Sequence, residues 1–174
     1  LGTVRVAAVG GVATFDAWRI ERAGSGYVAR MSATGLTSVS TSEFAVNAAA
    51  ASRLLLVAGD AQTAEAGTAV PVPPRVRVTD AFGNPATGVA LTLDVIEGSG
   101  TLAAGSILTN AAGEASLPVW TLGSVIGRQQ VRVSAIGLPP IVITATATAA
   151  TTPLRTVVIT TELVEGLTAG ASPN

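Results

Sequence analysis

The chain has 174 residues, of which 48% are hydrophobic and 3% aromatic, and its ten Arg nearly balance eleven Asp and Glu. It contains no Cys, His or Lys. Structural zinc sites need Cys or His, thiol chemistry needs Cys, and a Ser-His-Asp relay needs His, so these three kinds of site are excluded. Without a basic stripe or an aromatic stacking platform, nucleic-acid binding is disfavoured, and no cofactor is predicted.

The apolar residues are mostly Ala and Val, interrupted every few positions by Gly, Thr and Ser. The apolar stretches, such as the one around residues 46–51, are far shorter than the roughly 20 residues that span a bilayer, so no transmembrane segment is predicted. The chain opens with Leu1 in a strand-like pattern and without a signal peptide. We therefore expect an internal piece of a longer protein, with any export signal or anchor outside it.

Alternation of period two dominates the chain and helical periodicity is nearly absent, which predicts an all-β fold. Turn-forming stretches such as residues 80–85, 97–100 and 110–113 separate the alternating runs at the spacing of a β-sandwich. The strands predicted in chain order are residues 4–9, 27–31, 53–57, 75–79, 89–95, 114–120, 129–135, 141–146 and 156–161.

The sequence also repeats itself. Three landmarks recur at a nearly constant offset: Gly11-Val-Ala-Thr-Phe matches Gly113-Glu-Ala-Ser-Leu (113 − 11 = 102), Gly24 matches Gly127 (127 − 24 = 103), and Gly35-Leu36 matches Gly137-Leu138 (137 − 35 = 102). A period of about 100 residues is the size of one immunoglobulin-like domain. The repeat predicts tandem immunoglobulin-like β-sandwich modules, one complete and two partial. Residues 1–51 are the C-terminal half of one module, 52–150 a complete module, and 151–174 the start of a further one.

Several motifs within residues 52–150 resemble the bacterial immunoglobulin-like repeat of the invasin and intimin type. They are Val76-Arg-Val-Thr-Asp-Ala-Phe-Gly-Asn-Pro-Ala-Thr-Gly-Val-Ala-Leu-Thr-Leu, Gly98-Ser-Gly-Thr-Leu, Thr109-Asn-Ala-Ala-Gly-Glu-Ala and Trp120-Thr-Leu-Gly. The segment that runs from Gly11 to Phe44 resembles a related repeat of long bacterial surface proteins. The resemblance implies the fold and an extracytoplasmic setting, at the cell surface or in the periplasm. It implies no ligand, because such repeats serve mainly as stalks, spacers and docking modules.

The turn at residues 80–85 has two interpretations. Gly83 and Asn84 accept left-handed backbone angles and Pro85 fixes the exit, which explains the motif as a turn. Alternatively, Asp80 and Asn84 supply oxygen ligands for Ca²⁺ at a joint between modules, with help from Asp60 or Asp94. The carboxylate density of a calcium loop is missing, so the turn is the preferred interpretation.

Two tryptophans are candidates for protein interaction. Trp120 ends a predicted strand, and Trp18 lies in the matching strand of the first partial module. Each indole either closes the core at the end of its sandwich or anchors a protein interface. Packing is the preferred interpretation for Trp120, whereas four charged neighbours between residues 16 and 22 leave the two alternatives balanced for Trp18.

No catalytic site is predicted. Ser99 lies in the Gly-rich stretch 97–100, but no helix or Lys accompanies it, so a hairpin explains it better than a phosphate loop. The carboxylate pairs Glu162 with Glu165 and Asp94 with Glu97 lack the cleft and the sugar-stacking aromatic residues of a glycosidase. We predict that the chain is not an enzyme and rank a lectin-like sugar binder last.

The functional expectation is a non-catalytic extracytoplasmic protein whose modules act as the stalk or scaffold of a bacterial surface protein. The alternative is an extrinsic accessory subunit that docks on and braces a multi-subunit membrane complex, of respiratory or photosynthetic type, on its periplasmic face. In either case the partners are other proteins, bound through sandwich edges or module ends. The sequence names no partner and no anchoring mode.

Overall fold

A computed structural model of the chain describes residues 4–16 and 18–151. Every regular element in this part is a β-strand, so the predicted all-β fold is confirmed. The strands are β1 (Gly24–Tyr27), β2 (Arg30–Met31), β3 (Val39–Ser40), β4 (Phe44–Val46), β5 (Arg53–Ala58), β6 (Gln62–Glu65), β7 (Arg75–Thr79), β8 (Ala90–Glu97), β9 (Thr101–Leu102), β10 (Ser106–Leu108), β11 (Glu114–Ser116), β12 (Trp120–Thr121), β13 (Gly127–Ser134) and β14 (Ile141–Thr148).

Strands β5 to β14 form a sandwich of two main sheets, and β9 and β12 pair with each other as a separate two-stranded ribbon. One sheet has five strands in the order β10-β8-β13-β14-β6, and the other has three in the order β11-β7-β5. All neighbours are antiparallel except β14 and β6, which run parallel. The first, second and fifth strands of an immunoglobulin domain share one sheet, and its third, sixth and seventh share the other. Strands β5, β7 and β11 and strands β8, β13 and β14 have this distribution, so the sandwich is immunoglobulin-like.

The core lies between the two sheets because alternate residues of the long strands point inward. On β13, Val131 and Val133 are buried while Arg132 between them is exposed. On β14, Ile143, Ala145 and Ala147 are buried. The remaining core residues are Leu54, Val70, Val76, Val78, Ala86, Leu91, Leu93, Ala115, Leu117, Trp120 and Leu122.

The chain changes from one sheet to the other between β5 and β6. Gly59 has φ of 87°, and a Cβ there would lie 2.5 Å from the Cα of Pro74, so only glycine fits. Next to it, Asp60 Oδ1 accepts hydrogen bonds from the backbone N–H and the hydroxyl of Thr144, at 2.8 and 2.9 Å. These contacts fix β6 beside β14. The continuous segment that contains β5 and β6 therefore contributes one strand to each sheet.

The structure departs from the predicted strands in three places. The stretch predicted as one strand over 114–120 is divided into β11 and β12 because Pro118, which has no N–H, interrupts the ladder. The predicted strand 27–31 is divided into β1 and β2. Residues 4–9 form no strand, only a bridge between Val9 and Val12. The predicted strand 156–161 lies outside the described residues.

Strands β1 to β4 form a hairpin whose inner part, β2 and β3, has the same register as β13 and β14. Arg30 pairs with Ser40, and Arg132 pairs with Val142; each position lies 102 residues after its counterpart (132 − 30 = 102, 142 − 40 = 102). The turns match too, since Leu36 N donates to Ala33 O at 3.1 Å and the residues 102 positions later, 138 and 135, make the same bond at 3.2 Å. The two hairpins therefore share the connecting turn and the pairing next to it, and they differ by one residue at a register irregularity in β1, where Tyr27 pairs with Phe44 but Gln129 pairs with Ala145.

We expect Ile143→Ala to destabilise the sandwich by about 2–5 kcal/mol, because it leaves a cavity where a fully buried side chain of β14 meets the opposite sheet. The neighbouring substitution Val142→Ala changes a side chain that is 41% exposed and should cost less than about 1 kcal/mol. Urea unfolding followed by circular dichroism measures both. Equal losses would contradict the inward orientation of Ile143.

Candidate interaction site

The turn between β7 and β8 begins with a buried carboxylate. Asp80 is fully buried, and its Oδ1 accepts hydrogen bonds from the N–H groups of Phe82 and Asn84, each at 2.9 Å. Asp80 N–H donates to the carbonyl of Asn84 at 3.0 Å, and Gly83 adopts φ of 87°. An Asp that binds the N–H two residues later is the signature of an Asx turn. The local sequence is therefore sufficient to form this turn.

The other oxygen of Asp80 holds a distant segment of the chain. Its Oδ2 accepts a hydrogen bond from the Asn84 side-chain amide at 2.8 Å and another from the backbone N–H of Ala49 at 3.0 Å. Ala49 lies in the segment that connects β4 to β5. The four bonds use all the acceptor positions of the carboxylate.

Asn84 makes the complementary contacts to the same N-terminal part. Its Oδ1 accepts a hydrogen bond from Ala23 N–H at 2.9 Å, and its Nδ2 donates to the carbonyl of Glu21 at 2.6 Å. If the Asn84 amide were flipped, its NH2 group would face the Ala23 N–H and its oxygen would face the Glu21 carbonyl. These partners therefore fix the orientation of the amide. The Arg19 guanidinium lies 5.9 Å from the centre of the Phe82 ring, within cation–π range. We call these contacts between residues 80–84 and residues 19–49 the joint.

Hydrogen bonding makes Asp80 more acidic. Burial of its carboxylate raises the pKa, whereas the Asn84 side chain and three backbone N–H groups lower it by stabilising the charged form. The hydrogen bonds outweigh burial, and the pKa of Asp80 falls from 3.8 to about 2. Asp80 is therefore ionised throughout the physiological range.

The geometry at Asp80 and Asn84 is that of a hydrogen-bonded turn. A calcium ion there would have to displace the N–H donors that now face the Asp80 oxygens. Neither expected helper is directed to them, since Asp60 binds Thr144 and Asp94 pairs with Arg132 at 3.0 Å. The described part of the chain has no group of three or more His, Cys, Asp or Glu placed to hold a metal ion.

Trp120 lies in the core. It is fully buried and pairs with Leu102 of β9, so its ring is not accessible to a partner in this structure. The packing interpretation accounts for this position. Its indole N–H has no hydrogen-bond partner within the described residues, which is a cost of burying a large ring here.

Trp18 is 49% exposed, although it corresponds to Trp120 at the same offset (120 − 18 = 102). Its ring meets Phe44 edge to face, with centroids 6.3 Å apart. It borders a groove of roughly 800 Å³, which we call the open groove and define by Phe15, Trp18, Met31, Leu36 and Val39. All five are exposed, so the N-terminal part presents an uncovered apolar surface.

The predicted carboxylate pair on β8 is engaged in surface ion pairs. Asp94 binds Arg132 and Glu97 binds Arg128 at 2.8 Å, both partners lying on the adjacent strand β13. Ser99 packs against Gly123. A Cβ added to Gly123 would lie 2.2 Å from the Ser99 hydroxyl oxygen. The other pair, Glu162 and Glu165, lies outside the described residues.

No family model matches the chain, and no curated protein matches it. Among solved structures, it is similar to a glycosyl hydrolase family 2 member from Bacteroides cellulosilyticus (19% identity, TM-score 0.48, 70% of this chain and 17% of that one). It is also similar to domains 4 and 5 of the S-layer protein SbsC (16%, TM-score 0.46, 71% and 66%) and to the D0-D1 domain of intimin (17%, TM-score 0.40, 70% and 63%). The chain spans less than two thirds of each. Likenesses this distant assign no family.

The described part of the chain contains no helix with the length and hydropathy needed to cross a membrane.

We expect the joint to protect two individual amides. Asn84→Ala removes the acceptor for Ala23 N–H and should speed hydrogen exchange of that amide by about tenfold or more, because a partly buried donor loses its hydrogen-bond partner. Asp80→Ala should do the same at Ala49. Nuclear magnetic resonance exchange measures both, with the amide of Val133 in the core as an internal reference. Unchanged exchange at Ala23 in the Asn84 variant would contradict the joint.

We expect acid to weaken the joint. The folded-state pKa of Asp80 lies below the unfolded one, so its contribution to stability is present above about pH 4 and is lost as the pH falls towards 2. The difference in stability between the natural chain and Asp80→Asn should therefore shrink between pH 5 and pH 2. Denaturant unfolding at several pH values measures it, and a constant difference would contradict the prediction. The pKa values of Asp60 and Glu65 are also lowered, so both proteins retain some acid sensitivity.

Proposed function

We propose that this protein is a non-catalytic, extracytoplasmic structural and interaction protein in which tandem immunoglobulin-like modules act as a stalk or scaffold. The observation that carries the proposal is the joint. Asp80 and Asn84 are buried side chains whose hydrogen bonds reach Ala49, Ala23 and Glu21, so polar groups are committed to holding two parts of the chain together. Modules joined by flexible linkers move independently and do not require such contacts, whereas a rigid rod requires them.

The organisation of the proposed rod follows the repeat. Residues 52–150 are a complete module, 1–51 the C-terminal half of another, and 151–174 the start of a third. The shared register and turn of the β2–β3 and β13–β14 pairs support this division, because two segments of one chain pair in the same way next to the turn, 102 residues apart. The connection between β4 and β5 is short, and Asp80 binds it at Ala49. Both features favour a stiff connection over a long and flexible one.

Surface chemistry supports a structural role. The chain has no His, Cys or Lys, and three ion pairs of the described residues join neighbouring strands, for example Arg132 with Asp94. These exposed pairs add solubility and little stability. We propose no enzymatic activity and no cofactor. We propose an extracytoplasmic location because the chain resembles the repeats of surface proteins.

The open groove favours a second candidate function. An exposed apolar surface of this kind marks a site of protein interaction. An extrinsic accessory subunit, docked on a multi-subunit membrane complex of respiratory or photosynthetic type on its periplasmic face, would use it to bind a neighbouring subunit.

Purification from native membranes without an affinity step separates the two functions. Mass spectrometry then reads the full length of the polypeptide and the proteins that accompany it. A long repeat protein without stoichiometric partners is the result expected for a stalk. Stoichiometric subunits of a membrane complex would overturn the stalk and establish the accessory subunit.

We expect the joint to be rigid. Because the chain has no Cys, Arg22→Cys and Thr92→Cys place two spin labels uniquely, one on each side of the joint. Double electron–electron resonance should give a narrow distance distribution, and adding Asn84→Ala should broaden it. A matched pair within the sandwich, Thr92→Cys with Val142→Cys, should stay narrow in both backgrounds. A broad distribution across the joint of the natural chain would contradict a rigid rod.

A further inference from the structure

The hairpin of the N-terminal part has a free edge. In the sandwich, β13 is paired on both sides, with β14 and with β8. Strands β1 and β2 pair with β4 and β3, and no strand of the described residues pairs with their other edge. An unpaired edge carries backbone donors and acceptors that a further strand can use. The position that β8 fills beside β13 is therefore open beside β1 and β2.

The face next to this edge corresponds in sequence to residues that form the closed core of the sandwich. Six residues that line the open groove correspond to residues that are buried in the sandwich. The pairs are Ala13 and Ala115, Phe15 and Leu117, Trp18 and Trp120, Ala29 and Val131, Met31 and Val133, and Thr41 and Ile143. The groove thus has the composition of one half of a sandwich core without the opposite half.

We propose that the free edge and the open groove together form a strand-acceptor site, and that its occupant is a set of strands of the same polypeptide, patterned like residues 52–102. The inference rests on the proposed tandem organisation. A strand equivalent to β8 pairs antiparallel with β1 and β2, and strands equivalent to β5 and β7 cover the groove.

Two groups in the site define the chemistry of the occupant. Arg30 corresponds to Arg132, which binds Asp94 on β8, so the occupant carries an acidic residue opposite Arg30. Among the described residues, the Arg30 guanidinium binds only the Ser38 hydroxyl, at 2.8 and 3.2 Å. The site thus selects an alternating aliphatic strand with one carboxylate.

The second group is Trp18. In the sandwich, Gly100 lies against the Trp120 indole, and a Cβ on Gly100 would lie 3.1 Å from the indole nitrogen and 2.6 Å from the carbonyl oxygen of Thr121. A side chain at that position has no space. The occupant therefore has a glycine over Trp18.

The offset of 102 residues defines the test. A copy of residues 52–102 placed directly before Leu1 joins in register, because Leu1 corresponds to residue 103. We expect Trp18 in the extended chain to become protected from acrylamide quenching and to emit at shorter wavelength, and the amide of Arg30, which faces the free edge, to exchange more slowly. Trp120 is buried in both proteins and gives a constant background. Unchanged quenching of Trp18 would overturn the proposal.

Two variants of the added copy are matched controls. Gly100→Ala in that copy should restore the quenching of Trp18, whereas Thr101→Ala, which changes an exposed side chain at the next position, should not. Protection that survives Gly100→Ala would overturn the proposed packing. The spin-label pair across the joint separates this inference from the proposed function. A narrow distance with an accessible Trp18 refutes the acceptor site alone, and a broad distance refutes the stalk.

Discussion

A buried carboxylate that must be satisfied by N–H donors is the constraint on which this arrangement depends. Asp80 is fully buried, and an ionised carboxylate is tolerated inside a protein only when its oxygens are hydrogen-bonded. Its own turn supplies three donors, and Ala49 supplies the fourth from another part of the chain. A residue whose sequence context explains only a turn therefore also fixes the segment that leads into the sandwich.

The sequence predicts the long central strands well and the short edge strands poorly. Arg75–Thr79 has the predicted bounds because its alternating Arg and Val match a strand with one buried face. Strands β6 and β10 were not predicted, because residues such as Gln62 and Ser106 carry little strand preference and are placed by neighbours, not by local pattern. The strand predicted over 114–120 is too long because Pro118 has no N–H to donate and divides the stretch into β11 and β12.

The candidate site could be predicted only in part, because its partners are remote in sequence. The turn motif identifies Asp80 and Asn84 as structurally important, yet nothing in their neighbourhood indicates Glu21 or Ala23, more than 60 residues earlier. The two tryptophans show the same limit. Trp18 and Trp120 occupy equivalent positions, one exposed and one buried, because burial depends on which strands lie opposite and not on the residue itself.

The parallel pairing of β6 with β14 has a mechanical consequence. One strand comes early in the sandwich and the other is its last, and they align over four residue pairs, from Ala145 opposite Gln62 to Thr148 opposite Glu65. When opposite ends of a module are pulled apart, parallel strands at its two ends slide along each other, so their hydrogen bonds bear the load together and do not open one at a time. Resistance to such a force is measured by the rate of unfolding. This rate is set by the barrier to the first displacement of the two strands and not by the equilibrium stability of the core.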